Sequence, residues 1–191
     1  EAVGEGEGEA VGEGEGEGDV GAEVALHAQL VWDTADADLD VRGIQENVNG
    51  AFCGPANFFD NTVDAPAPGP LATTCTPSDR ACFFANCTAN GAQPDWDGSG
   101  ARSVGDPAID VDDVNGFGPE NLDVAAAAAG DRLFGAFAYD AGVGPTCATF
   151  KLFVDGSLRL ERSIVVGSGD WVEFARVSVA GASVVVTGLE G

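Results

Sequence analysis

The sequence predicts an all-β protein: an antiparallel β-sandwich of the jelly-roll or Ig-like kind, with long disulfide-bearing loops and a disordered acidic N-terminal tail. Three observations predict it. Apolar residues alternate with period two through several short runs, separated by turn residues. No run has the 3.6-residue period of an amphipathic helix. Asp155-Gly156 lies between two alternating runs, the strongest short-range hairpin signal.

Residues 1–18 read EAVGEGEG and then EAVGEGEGEG, with seven Glu and no base. Glu repels Glu, and Gly raises the entropy lost on ordering, so this repeat cannot nucleate a core. Residues 1–20 therefore read as a Glu/Gly low-complexity tether, and 21–191 as a single β-sandwich domain. A plain solubilising tail is equally compatible with the composition, and alternating Glu and Gly also has the period of an edge strand.

The first strand follows, with Val24, Leu26, Ala28, Leu30 and Trp32 on one face and Glu23, His27 and Gln29 on the other. DLDVR at 38–42 alternates again, with Leu39 and Val41 inward and Asp38 and Asp40 outward. Residues 43–107 are rich in Gly, Pro, Asn and Asp and read as long loops with aromatic pairs at Phe58-Phe59 and Phe83-Phe84. A short strand is expected at 108–114, with Ile109 and Val111 on one side. The Ala run 124–129 has helix propensity but is too short to hold a helix alone, so it reads as a connector. Strands follow at 132–139, at 147–154 and 157–162 around Asp155-Gly156, and at 171–179 and 183–188 around Ala180-Gly181.

The net charge is −24, from 32 acids and 8 bases. Such a chain is not built to grip nucleic-acid phosphates or anionic lipid. No apolar run approaches the roughly 20 residues of a membrane helix, so no direct membrane insertion is expected. The charge is unevenly placed. Residues 33–123 carry 14 Asp and 2 Glu against three Arg, whereas 124–191 carry seven acids and five bases. The chain begins at Glu1 and contains no Met, which reads as a processed product whose targeting signal has been removed. Among five cysteines no CxxC occurs. Cys82 with Cys87 and Cys53 with Cys75 are the expected disulfides, which implies an extracellular or cell-surface setting. Buried free thiols are the alternative. Cys147 is left over, either buried or linking chains.

The Asp clusters carry the chemistry. One is Asp33, Asp36, Asp38 and Asp40; the other is Asp110, Asp112 and Asp113, followed by a Gly-rich stretch and Glu120. Two carboxylates 4 Å apart repel by ~1 kcal/mol in water and ~4 kcal/mol at an effective dielectric of 20. A hard divalent cation removes that penalty, and calcium takes carboxylate, carbonyl and water oxygens. Asp36, Asp38, Asp110, Asp112, Asp113 and Glu120 are therefore the candidate calcium ligands. The alternative is a solvated acidic face, as in a salt-adapted protein; seven Arg against one Lys also fit that. DWDGSGARSVGD at 95–106 has part of an EF-hand loop's spacing, but Arg102 takes its apolar position and no helix is expected on either side.

LVWDTADADLDVR, with DPAIDVDDVNGFGPENLDV about 70 residues later, resembles a bacterial extracytoplasmic domain of unknown function that often accompanies von Willebrand A-type domains. The middle stretch, DRACFFANC followed by PDWDG, is similar to versions in secreted myxobacterial proteins. The resemblance covers roughly residues 28–156. It implies a β-sandwich and places Asp36, Asp38, Asp112, Asp113 and Glu120 at the family's acidic positions. Asp40 stands where that family commonly has His or an aromatic residue, and 135–139 is less aromatic than its usual strand.

Catalysis has little support. His27 is the sole histidine, and no GxSxG elbow occurs. The leading expectation is a non-enzymatic, surface-tethered calcium-binding module acting in adhesion, assembly or ligand display. Alternatives are a carbohydrate-binding module stacking a surface glycan on Trp96, Phe58, Phe83 or Trp171, and a salt-adapted protein that self-assembles or meets a protein partner. The same four aromatic residues suit a core better than a platform, since large aromatics dominate core energetics.

Overall fold

The computed structural model describes residues 23–46, 80–84, 87, 94–114 and 116–189. The 1–20 tether, Phe58 and the Cys53–Cys75 pairing lie outside the described residues. Ten strands form, and no helix occurs among the described residues. They are β1 (Val24–Trp32), β2 (Asp38–Gln45), β3 (Ala81–Cys82), β4 (Ala108–Ile109), β5 (Glu120–Ala127), β6 (Gly130–Asp140), β7 (Thr146–Val154), β8 (Ser157–Val166), β9 (Trp171–Ala180) and β10 (Ser183–Gly188). Two antiparallel five-stranded sheets pack face to face, in the orders β4-β5-β1-β7-β8 and β10-β9-β6-β2-β3. The fold is a β-sandwich.

The period-two pattern drives this packing. Every second residue of β1, from Val24 to Trp32, is buried, and β7 alternates the same way. Aromatic rings bridge the two sheets. Phe150 of β7 stacks on Phe174 of β9 at 4.9 Å, and Phe134 of β6 lies 6.5 Å from Phe150. Such pairs add ~0.5–1.5 kcal/mol each beyond their buried area. The β7–β8 turn has Asp155 at φ 50° and Gly156 at φ 73°, the left-handed pair that a tight two-residue hairpin needs. Cys82 and Cys87 form the expected disulfide, and Cys147 is a half-buried free thiol.

Three expectations are corrected. The Ala run is not a connector, because β5 continues through Ala127 in register with β1, pairing Leu26 with Val124 and Val24 with Ala127. Cross-strand pairing and burial of Val124 outweigh the helix preference of alanine. The 108–114 strand shrinks to Ala108–Ile109, and Val111 is exposed. Asp110 causes this, since its side chain accepts the Val111 and Asn121 amides and ends the ladder. Finally, β2 does not alternate: Leu39 to Gln45 are all buried, including Asp40 and Arg42. It lies between β6 and β3, and Ala81 and Phe83 pack with Trp171 over Ile44 and Leu133 on its second face.

Gly135, at a register shift between β6 and β9, shows how close that packing is. A Cβ there would lie 2.4 Å from the Trp171 ring and 2.5 Å from the Val172 carbonyl oxygen. A strand carbonyl cannot yield as a side chain does. Gly135→Ala is expected to lower stability by ~1–3 kcal/mol, read as a fall in the urea midpoint. Gly144→Ala, with nothing within 4 Å of the added methyl, should leave the midpoint unchanged.

Candidate metal centre

The two Asp-bearing segments run side by side. Trp32 donates its backbone N–H to the Phe117 carbonyl at 3.1 Å and its Nε1–H to the Gly116 carbonyl at 2.9 Å. Ala37 bridges to Gly116. Glu120, at the start of β5 and 1% exposed, joins them from inside. Its Oε2 accepts the Val41 N–H at 2.6 Å, and its Oε1 accepts the Asp113 N–H at 3.1 Å.

Asp38, Asp40 and Asp112 line a pocket of about 210 Å³ together with Phe84, Val114 and Tyr139. One carboxylate oxygen from each of the three Asp lies within 4.8 Å of the others. Oxygens bonded to one calcium at about 2.3–2.6 Å are at most about 5 Å apart, so this spacing admits a shared ion. The three ligands are hard oxygens, as calcium requires. Asp112 is exposed and Asp38 half-buried, while Asp40 is buried with Arg42, whose Nη2 donates to Asp40 Oδ2 at 3.0 Å.

The electrostatics show carboxylates short of compensation. Burial raises Glu120 to about 9, and the nearby Asp40 and Asp112 push the same way against the two amide bonds. Asp38 is raised to about 6 by burial, then by Asp40, Asp112, Asp140 and Asp113. Asp40 is raised by burial despite Arg42, and Asp112 by burial and Asp113.

A second trio, Asp95, Asp97 and Asp106, also converges within 4.8 Å, but apart from Asp95 Oδ1, which is buried without a hydrogen bond among the described residues, its oxygens are engaged by the loop itself. Asp97 accepts Ser103 Oγ–H and the Ser99 amide; Asp106 accepts the Trp96 and Ser103 amides; and Asp95 accepts the Gly100 amide. The Ser103 hydroxyl and Ser99 amide pull Asp97 down to about 2. There the carboxylates build a turn, whereas in the first trio they repel.

Of the six ligand candidates, the structure brings Asp38 and Asp112 together and adds Asp40. Asp36 is exposed and outside the trio. Asp110 caps the bend before β5 through Asn121 and Val111. Asp113 accepts the Gly118 amide at 3.1 Å. Glu120 is a clamp rather than a member of the trio. Asp40 and Arg42 stand two apart on one strand, and that spacing is the signal that pairs them; an outward reading of Asp40 hides it. Phe84, Val114 and Tyr139 carry no sequence signal of their own, because chain crossing alone brings them to the pocket. Trp96, a candidate sugar platform, is 1% exposed and packs edge-on to Phe134. It belongs to the core. Phe83 and Trp171 are partly buried against Ile44 and Leu133. His27 lies away from the pocket, bonded to Asp123 at 2.6 Å.

Comparison with protein-family models, with curated proteins and with solved structures returns no match for this chain.

Proposed function

We propose that this β-sandwich is a calcium-binding, non-enzymatic extracytoplasmic module that acts at a cell surface in adhesion, assembly or ligand display. The observation that carries the reading is the convergence of Asp38, Asp40 and Asp112 in one pocket, on segments that Glu120 ties together. Asp38, Asp40 and Asp112 would hold the ion, and water would complete its shell of 6–8 oxygens. Bound calcium supplies two positive charges where three carboxylates meet. The ion would lock the 110–114 bend onto β2 and stiffen the rim formed by Val114, Phe84 and Tyr139. Tyr139 is 55% exposed, so this rim is where a surface partner would meet the module. The Cys82–Cys87 disulfide supports an oxidising compartment. Clustering of the acids in a pocket favours ion binding over an even salt-adapted coat.

Calorimetric titration and thermal melting test this. Calcium is expected to raise the melting temperature of chelator-treated protein. At 100 times the dissociation constant the gain is ~2.7 kcal/mol, and affinity in the ~0.1–1 mM range suits an extracellular module. Asp112→Asn, at an exposed position, should fold normally and lose most of the gain. Asp97→Asn, in the other trio, should keep it. A melting temperature indifferent to calcium and chelator would sink the proposal.

A further inference from the structure

Each sheet has two edges, and three of the four are guarded. β3 and β4 are two residues long, too short to template another strand. β8 is long but carries two protective devices. A register shift interrupts its pairing with β7. Arg162 pairs with the buried Phe150 and so projects toward the sandwich interior at the rim, where its Cδ lies 3.7 Å from the position of a Cβ on Gly188. Inward-pointing charges and bulges are how natural sheets refuse further strands.

β10 has none of these devices. It ends its sheet after β9, with no further neighbour among the described residues. Its sequence, SVVVTG, is uncharged, lacks proline and is regular in register with β9. From Val177 to Gly188 the hairpin contains no charged residue, and Arg176, opposite Thr187, is the charge just before it. Ser183, Val185, Thr187 and Gly188 are exposed, and Val185 is 58% exposed. Val184 and Val186 turn inward and are only partly buried at the open end of the core. In an antiparallel ladder alternate residues turn their N–H and C=O groups away from the existing neighbour, so this edge offers main-chain bonds as well as valine side chains.

We propose that the β10 edge is a strand-pairing surface whose occupant is β10 of a second copy of this chain, joined antiparallel about a two-fold axis at Val185. The strand is self-complementary in that register. Val184 meets Val186, Ser183 meets Thr187, and Val185 meets its own mate, so like residue types face each other and no like charges do. A two-fold interface requires this self-complementarity. Charge distribution selects the same surface. The excess acid lies before residue 124, whereas 124–191 carries seven acids and five bases, so two chains of net −24 meet here with least repulsion. The Glu/Gly repeat is the poorer mate, since glycine is a weak strand former and its Glu would lie beside valine. Pairing would join the two sheets into one and bring Val184 and Val186 of both copies into a continuous core. This inference is independent of the cation site.

The test is sedimentation equilibrium of the full chain from micromolar to millimolar concentration, at physiological salt. The expected result is a weight-average mass that rises to twice the monomer. Val185→Lys and Val185→Glu change an exposed side chain, so both fold; each alone should remain monomeric, because like charges face each other at the axis. An equimolar mixture of the two should recover the dimer. Val185→Thr, which keeps strand propensity, should dimerise as the unaltered chain does. A chain that stays monomeric throughout overturns the proposal. So does a dimer that Val185→Lys leaves intact, or a mixture that stays monomeric.

Discussion

Chelator-treated protein is expected to be most stable in mild acid and to lose several kcal/mol between about pH 5 and pH 9, at ~1.4 kcal/mol for each pH unit over which the folded state holds one extra proton. Glu120 dominates. Its carboxyl titrates at 4.5 when free and at about 9 in the fold. Between those values the unfolded chain has released a proton that the folded state still holds, so stability falls as pH rises. The contribution is fully present below about 4.5 and is lost by about 9. Asp38, raised to about 6, acts with the same sign over a lower window, and Asp40 and Asp112, also raised, add to the same trend. Arg42 is the cation facing Asp40 and limits its rise. Asp97, Asp33 and Asp131 are lowered and act oppositely, since their contribution is lost as pH falls through their folded values. Together these set an optimum in mild acid. Calcium needs ionised ligands, so its stabilisation should grow with pH and flatten the profile. Urea midpoints across this range, with chelator and with calcium, give the measurement. Glu120→Gln should remove most of the chelated slope. A chelated profile that is flat or rising from pH 5 to 9 would contradict the burial of Glu120 beside Asp40 and Asp112.

Strands whose two faces differ were legible in the sequence. β1, β7 and the Asp155-Gly156 hairpin alternate because one face meets the core and the other meets solvent. β2 was read as a strand at 38–42, but the burial of both its faces was not legible, because its second face is covered by residues far away in sequence, and period two then ceases to report burial. β5 was hidden for a different reason. Alanine says little about its partner, and only the register with β1 makes 124–127 a strand.

The candidate site divides along the same line. A shared ion requires 33–40 and 110–120 to meet, and they do so through Ala37 and Gly116. Which carboxylates converge depends on strand pairing and bend geometry. Asp110 and Asp113 belong to turns because backbone amides reach them first. Asp40 enters because β2 is buried at that point, with the paired Arg42 guanidinium lying over the Phe83 and Phe137 rings.

Arg42→Ala is expected to be the most damaging single substitution near the site, at ~3–5 kcal/mol. The Arg42 side chain is 2% exposed and that of Asp40 5%, so the pair is withdrawn from water. The guanidinium also lies 4.6 Å from the Phe137 ring centre, a contact alanine cannot replace. Removing Arg42 leaves Asp40 buried beside Glu120, Asp38 and Asp112, without the cation that opposes its rise among the described residues. The variant should therefore protonate Asp40 and steepen the loss of stability with pH. Two comparisons separate this cause from simple loss of packing. Asp40→Asn combined with Arg42→Ala keeps the cavity and removes the lone buried charge, so it should cost less than Arg42→Ala alone. Calcium should stabilise Arg42→Ala more than the unaltered protein, because the ion replaces the missing positive charge, and it should stabilise the double variant least. Urea unfolding of the three proteins with and without calcium decides the matter. If the double variant is as unstable as Arg42→Ala, the damage is cavity rather than charge. If calcium stabilises all three equally, Asp40 is no ligand.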